Sequence, residues 1–243
     1  MSIADQLTIG RPLPATRRNA TLGGFKSAIR VQQSFLARVE KRVLLWMAER
    51  TPSWINSDHL TAMGSAGMLM AGVCYGLARW HVWALLGATF CLGVNWLGDS
   101  LDGTLARVRN RQRPRYGFYI DHVLDTFGAF FLIGGLAISG YMHPMIASGM
   151  LVAFLMLSIE VYLATYTIGS FHLSFWKFGP TEVRMLLAIG NCALLFRPMA
   201  HILGRSWRVF DLGGVIAIGG MAVMLIFASI KHTRRLYREE RLP

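Results

Sequence analysis

The chain has 243 residues, 53% of them apolar, three cysteines and a formal net charge of +12. Such a composition builds either a membrane bundle or one large core, and uncharged runs of spanning length decide for the bundle. The charge does not point to nucleic acid, because it gathers in particular connections between those runs. Cys74, Cys91 and Cys192 sit singly in apolar segments, which excludes a disulfide framework or a zinc site and leaves them as packed thiols.

Residues 1–30 mix Pro, Gly, Thr and Arg without periodicity, as in a cytoplasmic arm. No early apolar segment ends in a small-residue cleavage site, so this arm is expected to be retained rather than removed as a signal peptide. From Phe35 to Met47 an apolar residue recurs every fourth position (Phe35, Val39, Val43, Met47), with Leu36 and Trp46 alongside and Arg38, Lys41 and Arg42 elsewhere. That pattern predicts a basic amphipathic helix lying on an anionic membrane surface; the plainer alternative is a helix packed on a soluble partner. Pro52 ends it. Asn56, Ser57 and Asp58 read as capping residues for the first membrane run, Leu60 to Ala78, whose Gly64, Ser65, Ala66, Gly67, Ala71 and Gly72 suit close helix packing. A second run, Val82 to Gly98, carries Asn95 toward the stretch that holds most of the chemistry.

That stretch begins with Asp99, Asp102, Gly103, Ala106 and Arg107, and resumes after nine residues with Gly117, Asp121 and Asp125. On a helix, Asp99, Asp102, Gly103 and Ala106 share one stripe, and Gly117, Asp121 and Asp125 share a stripe of the next helix, so that two carboxylates face two others. Carboxylates at a bilayer edge are expensive unless paired, hydrated or bound to a cation. Repulsion among the acids calls for divalent metal. All-oxygen donors suit Mg²⁺ or Mn²⁺, and two such ions about 3.5–4 Å apart form a clamp for in-line phosphoryl displacement. A set of helix ends in interfacial water is the plain alternative. Gly103 and Ala106 leave room beside the acids for a ligand or for a neighbouring helix, and Arg107 stands where a phosphate could meet its guanidinium. Arg109, Arg111, Arg113 and Arg115 read as topology determinants.

The spacing D-x2-D-G-x2-A-R-x9-G-x3-D-x3-D resembles the signature of the CDP-alcohol phosphotransferases, integral membrane enzymes of phospholipid synthesis, and every fixed position of that pattern is met. The resemblance implies Asp99, Asp102 and Asp121 as principal metal ligands, with Asp125 at a second metal or acting as base. It further implies Gly103, Ala106, Arg107 and Gly117 around the CDP moiety, Asn56 and Thr61 near the nucleotide, two Mg²⁺ or Mn²⁺ ions as cofactor, and a homodimer formed through membrane helices. His122, beside Asp121, resembles the choline and ethanolamine branch, where that histidine lies in the active site. The same branch carries a glutamate just after the motif glycine, where this chain has Phe118, and this departure points away from the branch. Without the resemblance, a lone histidine at a membrane edge reads as a hydrogen-bonded structural residue.

Further runs extend from Thr126 to Met142, Pro144 to Ile159, Met185 to Phe196 and Leu212 to Ile230, giving six membrane helices. The helix before Thr126 is expected to start near Gly117, and the short fifth run reaches spanning length only if it begins at Gly179-Pro180. Glu160 interrupts an apolar run and is a candidate contact for acceptor or phosphate, or an ion-pair partner of Arg184. Lys177 and Arg184 fall where the family places acceptor-binding basic groups; Lys177 equally serves the positive-inside rule. With both termini cytoplasmic, twenty-one Lys and Arg lie inside against four outside (Arg79, Arg197, Arg205, Arg208), which turns the aspartates to the cytoplasm.

The expected protein is all-α and integral to the plasma or inner membrane. It has a cytoplasmic arm with an interfacial helix (residues 1–58), a six-helix catalytic domain (59–230) and a basic cytoplasmic tail (231–243). The expected reaction moves a substituted phosphate from a CDP-alcohol donor, CDP-diacylglycerol being favoured, to an acceptor alcohol with release of CMP. Rival readings are a CDP-choline/ethanolamine-type enzyme acting on diacylglycerol, a prenyltransferase with aspartate-rich motifs, and a catalytically idle scaffold. A membrane metal-ion transporter is a further rival, though it needs no Gly103, Ala106 and Arg107 at these offsets.

Overall fold

A computed structural model describes residues 29–31, 37–168, 170–172, 180–202 and 204–240. Its helices are α1 (Ala37–Arg50), α2 (Ser57–Leu77), α3 (Ala84–Val108), α4 (Pro114–Ile138), α5 (Pro144–Ile168), α6 (Pro180–Phe196) and α7 (Val209–Glu239). Two small strand pairs, not anticipated from the sequence, join connections: β1 (Ile29–Val31) runs parallel to β2 (Ser170–His172), and β3 (Met199–Ile202) antiparallel to β4 (Arg205–Arg208). Most of the expected arm, Phe35 and Leu36 of the expected interfacial helix, and Lys177 lie outside the described residues.

Local chemistry sets the helix boundaries that matter for the site. Asn56 caps α2 in an extended conformation, and its N–H donates to His59 Nδ1 at 3.3 Å. α3 does not stop at the end of its apolar run but continues through Val108, so the first half of the aspartate motif is helical throughout. Asn110, at φ 52°, makes the reversal in the short α3–α4 connection, a conformation asparagine tolerates better than most residues. α4 then begins at Pro114, ahead of the expected Gly117, because proline at a first helical position gives up only an N–H that has no intrahelical partner.

Glycines bring α2 against both neighbours. A Cβ on Gly98 of α3 would stand 2.6 Å from the Cα of Gly64 on α2, and between α2 and α4 a Cβ on Gly72 would strike the Phe131 backbone and one on Gly135 the Gly72 backbone. Tyr75, Leu85, Leu92 and Leu136 fill the interior around these crossings. The Tyr75 hydroxyl donates to Asn191 Oδ1 at 2.9 Å, and Asn191 Nδ2 donates to Thr89 Oγ1 at 3.0 Å, so the polar groups that tie α2, α3 and α6 together are satisfied.

A helix lies on each of the six expected runs, though α3 begins two residues after Val82 and α4 ends at Ile138, short of Met142; four of the helices (α2, α4, α5, α7) are long and apolar enough to cross a membrane. α3 carries Asp99, Asp102 and Arg107 within its length, and α6 has only 17 residues. α5 and α7 turn Val152, Met156, Ile159, Leu163, Val223, Ile226 and Phe227 outward. Apolar surface of that extent suits lipid rather than water and fits an integral membrane protein. α7 also continues through Glu239, so the start of the expected tail extends the last helix.

The interfacial helix has, besides the apolar face expected to meet the membrane, an inward face that its apolar repeat did not predict. Leu44 and Ala48 of α1 are buried against Leu60, Leu101 and Leu105, whereas Val43 is 43% and Trp46 55% exposed. The reason is one turn upstream of Leu44. Glu40 Oε1 accepts from Trp96 Nε1 at 3.0 Å and from Ser100 Oγ at 3.3 Å on α3, and from Thr181 Oγ1 at 3.3 Å on α6, which fixes a Glu40–Leu44–Ala48 stripe inward.

Candidate active site

The helix ends just described converge at one end of the bundle. Asp99 and Asp102 of α3 and Asp121 and Asp125 of α4 line a single small cavity of about 20 Å³, together with Thr61, Gly64 and Asn95. A volume of that order holds about one water-sized body. A larger cavity of about 320 Å³ shares Thr61, Asp99, Asp102 and Asp121 with it and adds Gly103, Ala106, Arg107, Gly117 and His122. All eight motif positions therefore lie on these two walls.

Two glycines on the larger cavity are not explained by packing. A Cβ on Gly103 would come no nearer than 3.4 Å to the Arg107 guanidinium, and one on Gly117 would meet nothing within 4 Å. Side chains there would project into open cavity, as expected where a ligand's body approaches backbone. Arg107 Nη2 donates to Thr104 Oγ1 at 3.0 Å, which steadies the guanidinium on this wall.

Each α3 aspartate is already engaged. Thr61 Oγ1 donates to Asp102 Oδ2 at 2.5 Å, and the Gly103 N–H donates to Asp102 Oδ1 at 2.5 Å. Arg184 of α6 donates through Nη2 to Asp99 Oδ2 at 2.8 Å and through Nε to Asn95 Oδ1 at 2.7 Å, while Asn95 Nδ2 donates to the Gly64 carbonyl at 3.0 Å. The donor set suits a hard divalent cation in kind, being carboxylates from two helices around one small cavity. In position it is looser than the clamp expected from the sequence. Among the described residues, no three His, Cys, Asp or Glu side chains are gathered closely enough to hold an ion. Repulsion between carboxylates favours this separation, and Arg184 and Thr61 supply Asp99 and Asp102 with other partners.

The remaining candidates divide. His122 lines the larger cavity; its Nδ1 donates to the Phe118 carbonyl at 2.6 Å, and its ring stands between Phe118 and Tyr162, at centroid distances of 4.2 and 4.9 Å. Glu160 lines neither cavity. It accepts from His232 Nδ1 of α7 at 2.6 Å, so its partner is His232 and not Arg184. The two residues sit on facing sides of the α5–α7 contact, whereas Arg184 is drawn across to α3. Among the loop arginines, Arg109 donates to the carbonyls of Thr51 at 2.8 Å, Pro52 at 2.9 Å and Ile55 at 2.5 Å, clamping the α1–α2 connection. Arg113 pairs with Asp58 and lies over the Tyr116 ring. Asn95, which lines the smaller cavity and accepts from Arg184, is the contributor that motif spacing left without a role, while Thr61, expected near the nucleotide, is found bonded to Asp102. Asn95 carried the clearest signal, an amide in an apolar run one helical turn before Asp99.

No protein-family model matches the chain, and no curated protein matches it. Chemically, the site combines an acidic floor with a wall and rim bearing Arg107, Arg111 and Arg113. That combination suits a ligand whose phosphates would need both cations beneath them and guanidinium groups beside them.

Proposed function

We propose that the chain is a membrane transferase, with six spanning helices and its acidic cavity turned to the cytoplasm, that passes a substituted phosphate from a CDP-linked alcohol to an acceptor hydroxyl. The observation that carries this reading is the convergence of Asp99, Asp102, Asp121 and Asp125 on one cavity wall, beside a second cavity bordered by Gly103, Ala106, Arg107 and Gly117. The four aspartates, which line one cavity but stand too far apart to share an ion as they are, would hold Mg²⁺ or Mn²⁺ once a cation draws their carboxylates together. Bound there, the cation supplies positive charge that neutralises a pyrophosphate. Gly103 and Gly117 leave space for the body of the nucleotide, and the Arg107 guanidinium hydrogen-bonds a phosphate oxygen.

The acceptor oxygen attacks the β-phosphorus, the bond from that phosphorus to the bridging oxygen breaks, and CMP leaves with that oxygen. A carboxylate oxygen of Asp125, one turn further along α4 than Asp121, receives the hydroxyl proton. Phe118, stacked on His122 where the choline and ethanolamine branch has an acid, supports CDP-diacylglycerol over that branch's donors. A homodimer through membrane helices belongs to the same proposal.

Incubating the purified protein with Mg²⁺ or Mn²⁺, labelled CDP-alcohols and a panel of acceptors tests the reading through CMP release. Activity is expected with CDP-diacylglycerol, and Asp121→Asn is expected to abolish it while leaving the protein folded and inserted. Metal flux into vesicles without CMP release would instead support a transporter, and consumption of a prenyl diphosphate a prenyltransferase.

A further inference from the structure

We propose that Arg184 is the built-in counter-ion of the acidic cavity, competing with a divalent cation for Asp99, so that filling the cavity with a cation releases the guanidinium from α3. The inference rests on reading the aspartate cavity as a cation site. Arg184 reaches this position from α6, with its side chain 12% exposed, and is held at two points: Nη2 on Asp99 Oδ2 at 2.8 Å and Nε on Asn95 Oδ1 at 2.7 Å. Asn95 is itself fixed by its bond to the Gly64 carbonyl. The guanidinium cannot shed its proton, so its charge leaves this wall only if the side chain moves.

Asp99 Oδ2 is the oxygen through which Arg184 binds, on a residue lining a cavity with room for about one water-sized body. A divalent ion taking that oxygen would stand beside a guanidinium in a poorly screened site, where like charges repel strongly. For that oxygen the two cations compete. α6 does not depend on this contact for its place, because Thr181 is bound to Glu40 and Asn191 to Thr89 on either side of it along the helix. The arginine is thus free to exchange partners without detaching the element that carries it.

A purely structural ion pair makes the opposite prediction for cation binding, and titration of the full-length protein in detergent with Mn²⁺, followed by electron paramagnetic resonance, separates the two. Arg184→Met is expected to bind Mn²⁺ on the order of ten-fold more tightly than the wild type, since a charge-assisted bond no longer competes. Its unfolding temperature should be lower without Mn²⁺ and should rise more when Mn²⁺ is added. Arg184→Lys, whose single ammonium cannot hold Asn95 and Asp99 together, should fall between them, and decides the matter alone if the methionine variant does not insert. Affinity equal to or weaker than wild type overturns the competition while leaving the cation site standing. Absence of Mn²⁺ binding in wild type and variants alike overturns the cation site and the competition with it.

Discussion

Asp102 and Tyr75 show two different uses of a buried polar contact. Asp102 accepts from Thr61 and from the Gly103 N–H at the wall of both cavities, so its hydrogen bonds orient a carboxylate toward open space. Tyr75 is fully buried, and its hydroxyl serves only to satisfy Asn191. Tyr75→Phe should therefore lower stability by about 1–2 kcal/mol, the usual result of leaving a buried acceptor without its donor, and leave CMP release per folded molecule unchanged. Thermal unfolding in detergent beside a turnover assay checks both halves, and unaltered stability would contradict the role given to the hydroxyl. At this scale the motif was legible because its acids and glycines recur at helical spacing within one short stretch. Their partners were not. Thr61 and Arg184 lie 41 and 85 residues from the aspartates they bind, distances that only a helix crossing closes. Glu160 likewise gave no sign that its partner is His232 rather than Arg184.

Helix crossings set the spacing of the site. α2 approaches α3 at Gly64 and Gly98, and the next residue on α3 is Asp99, so any widening of this contact moves a cavity wall. Gly98→Ala is expected to destabilise the fold by about 1–3 kcal/mol through overpacking and to reduce turnover as well. Gly93→Ala, on the same helix but with nothing within 4 Å of the added carbon, should be neutral or stabilising by up to about 1 kcal/mol, the helix-propensity gain of alanine over glycine. Equal stability of the two variants, measured by thermal unfolding, would contradict the close crossing. α6 follows another rule, docking through Thr181, Arg184 and Asn191, whose spacing returns them to one side of the helix. Hydropathy registers α6 as a short apolar run and says nothing of this polar stripe. The same limitation applies to α1, where the fourfold apolar repeat predicted the lipid face and the inward stripe is set by Glu40.

In the molecule as a whole, α5 and α7 turn apolar faces outward, and the charged residues of the candidate site gather at one end of the bundle, where α3 finishes and α4 begins. Hydropathy made the helices legible because lipid imposes length and composition on them, while the partners gathered at the polar end depend on tertiary contact alone. We propose that α3 and α4 each contribute acids to one catalytic cavity. This is tested most directly by CMP release from a CDP-alcohol, measured for Asp102→Asn, Asp121→Asn and the double variant, all purified and shown to be folded. Groups that act as a unit are strongly non-additive. Each single variant should therefore lose about a thousand-fold or more in turnover, and the double variant should fall little further. Near-normal turnover in either single variant, or losses that multiply in the double variant, would contradict the account.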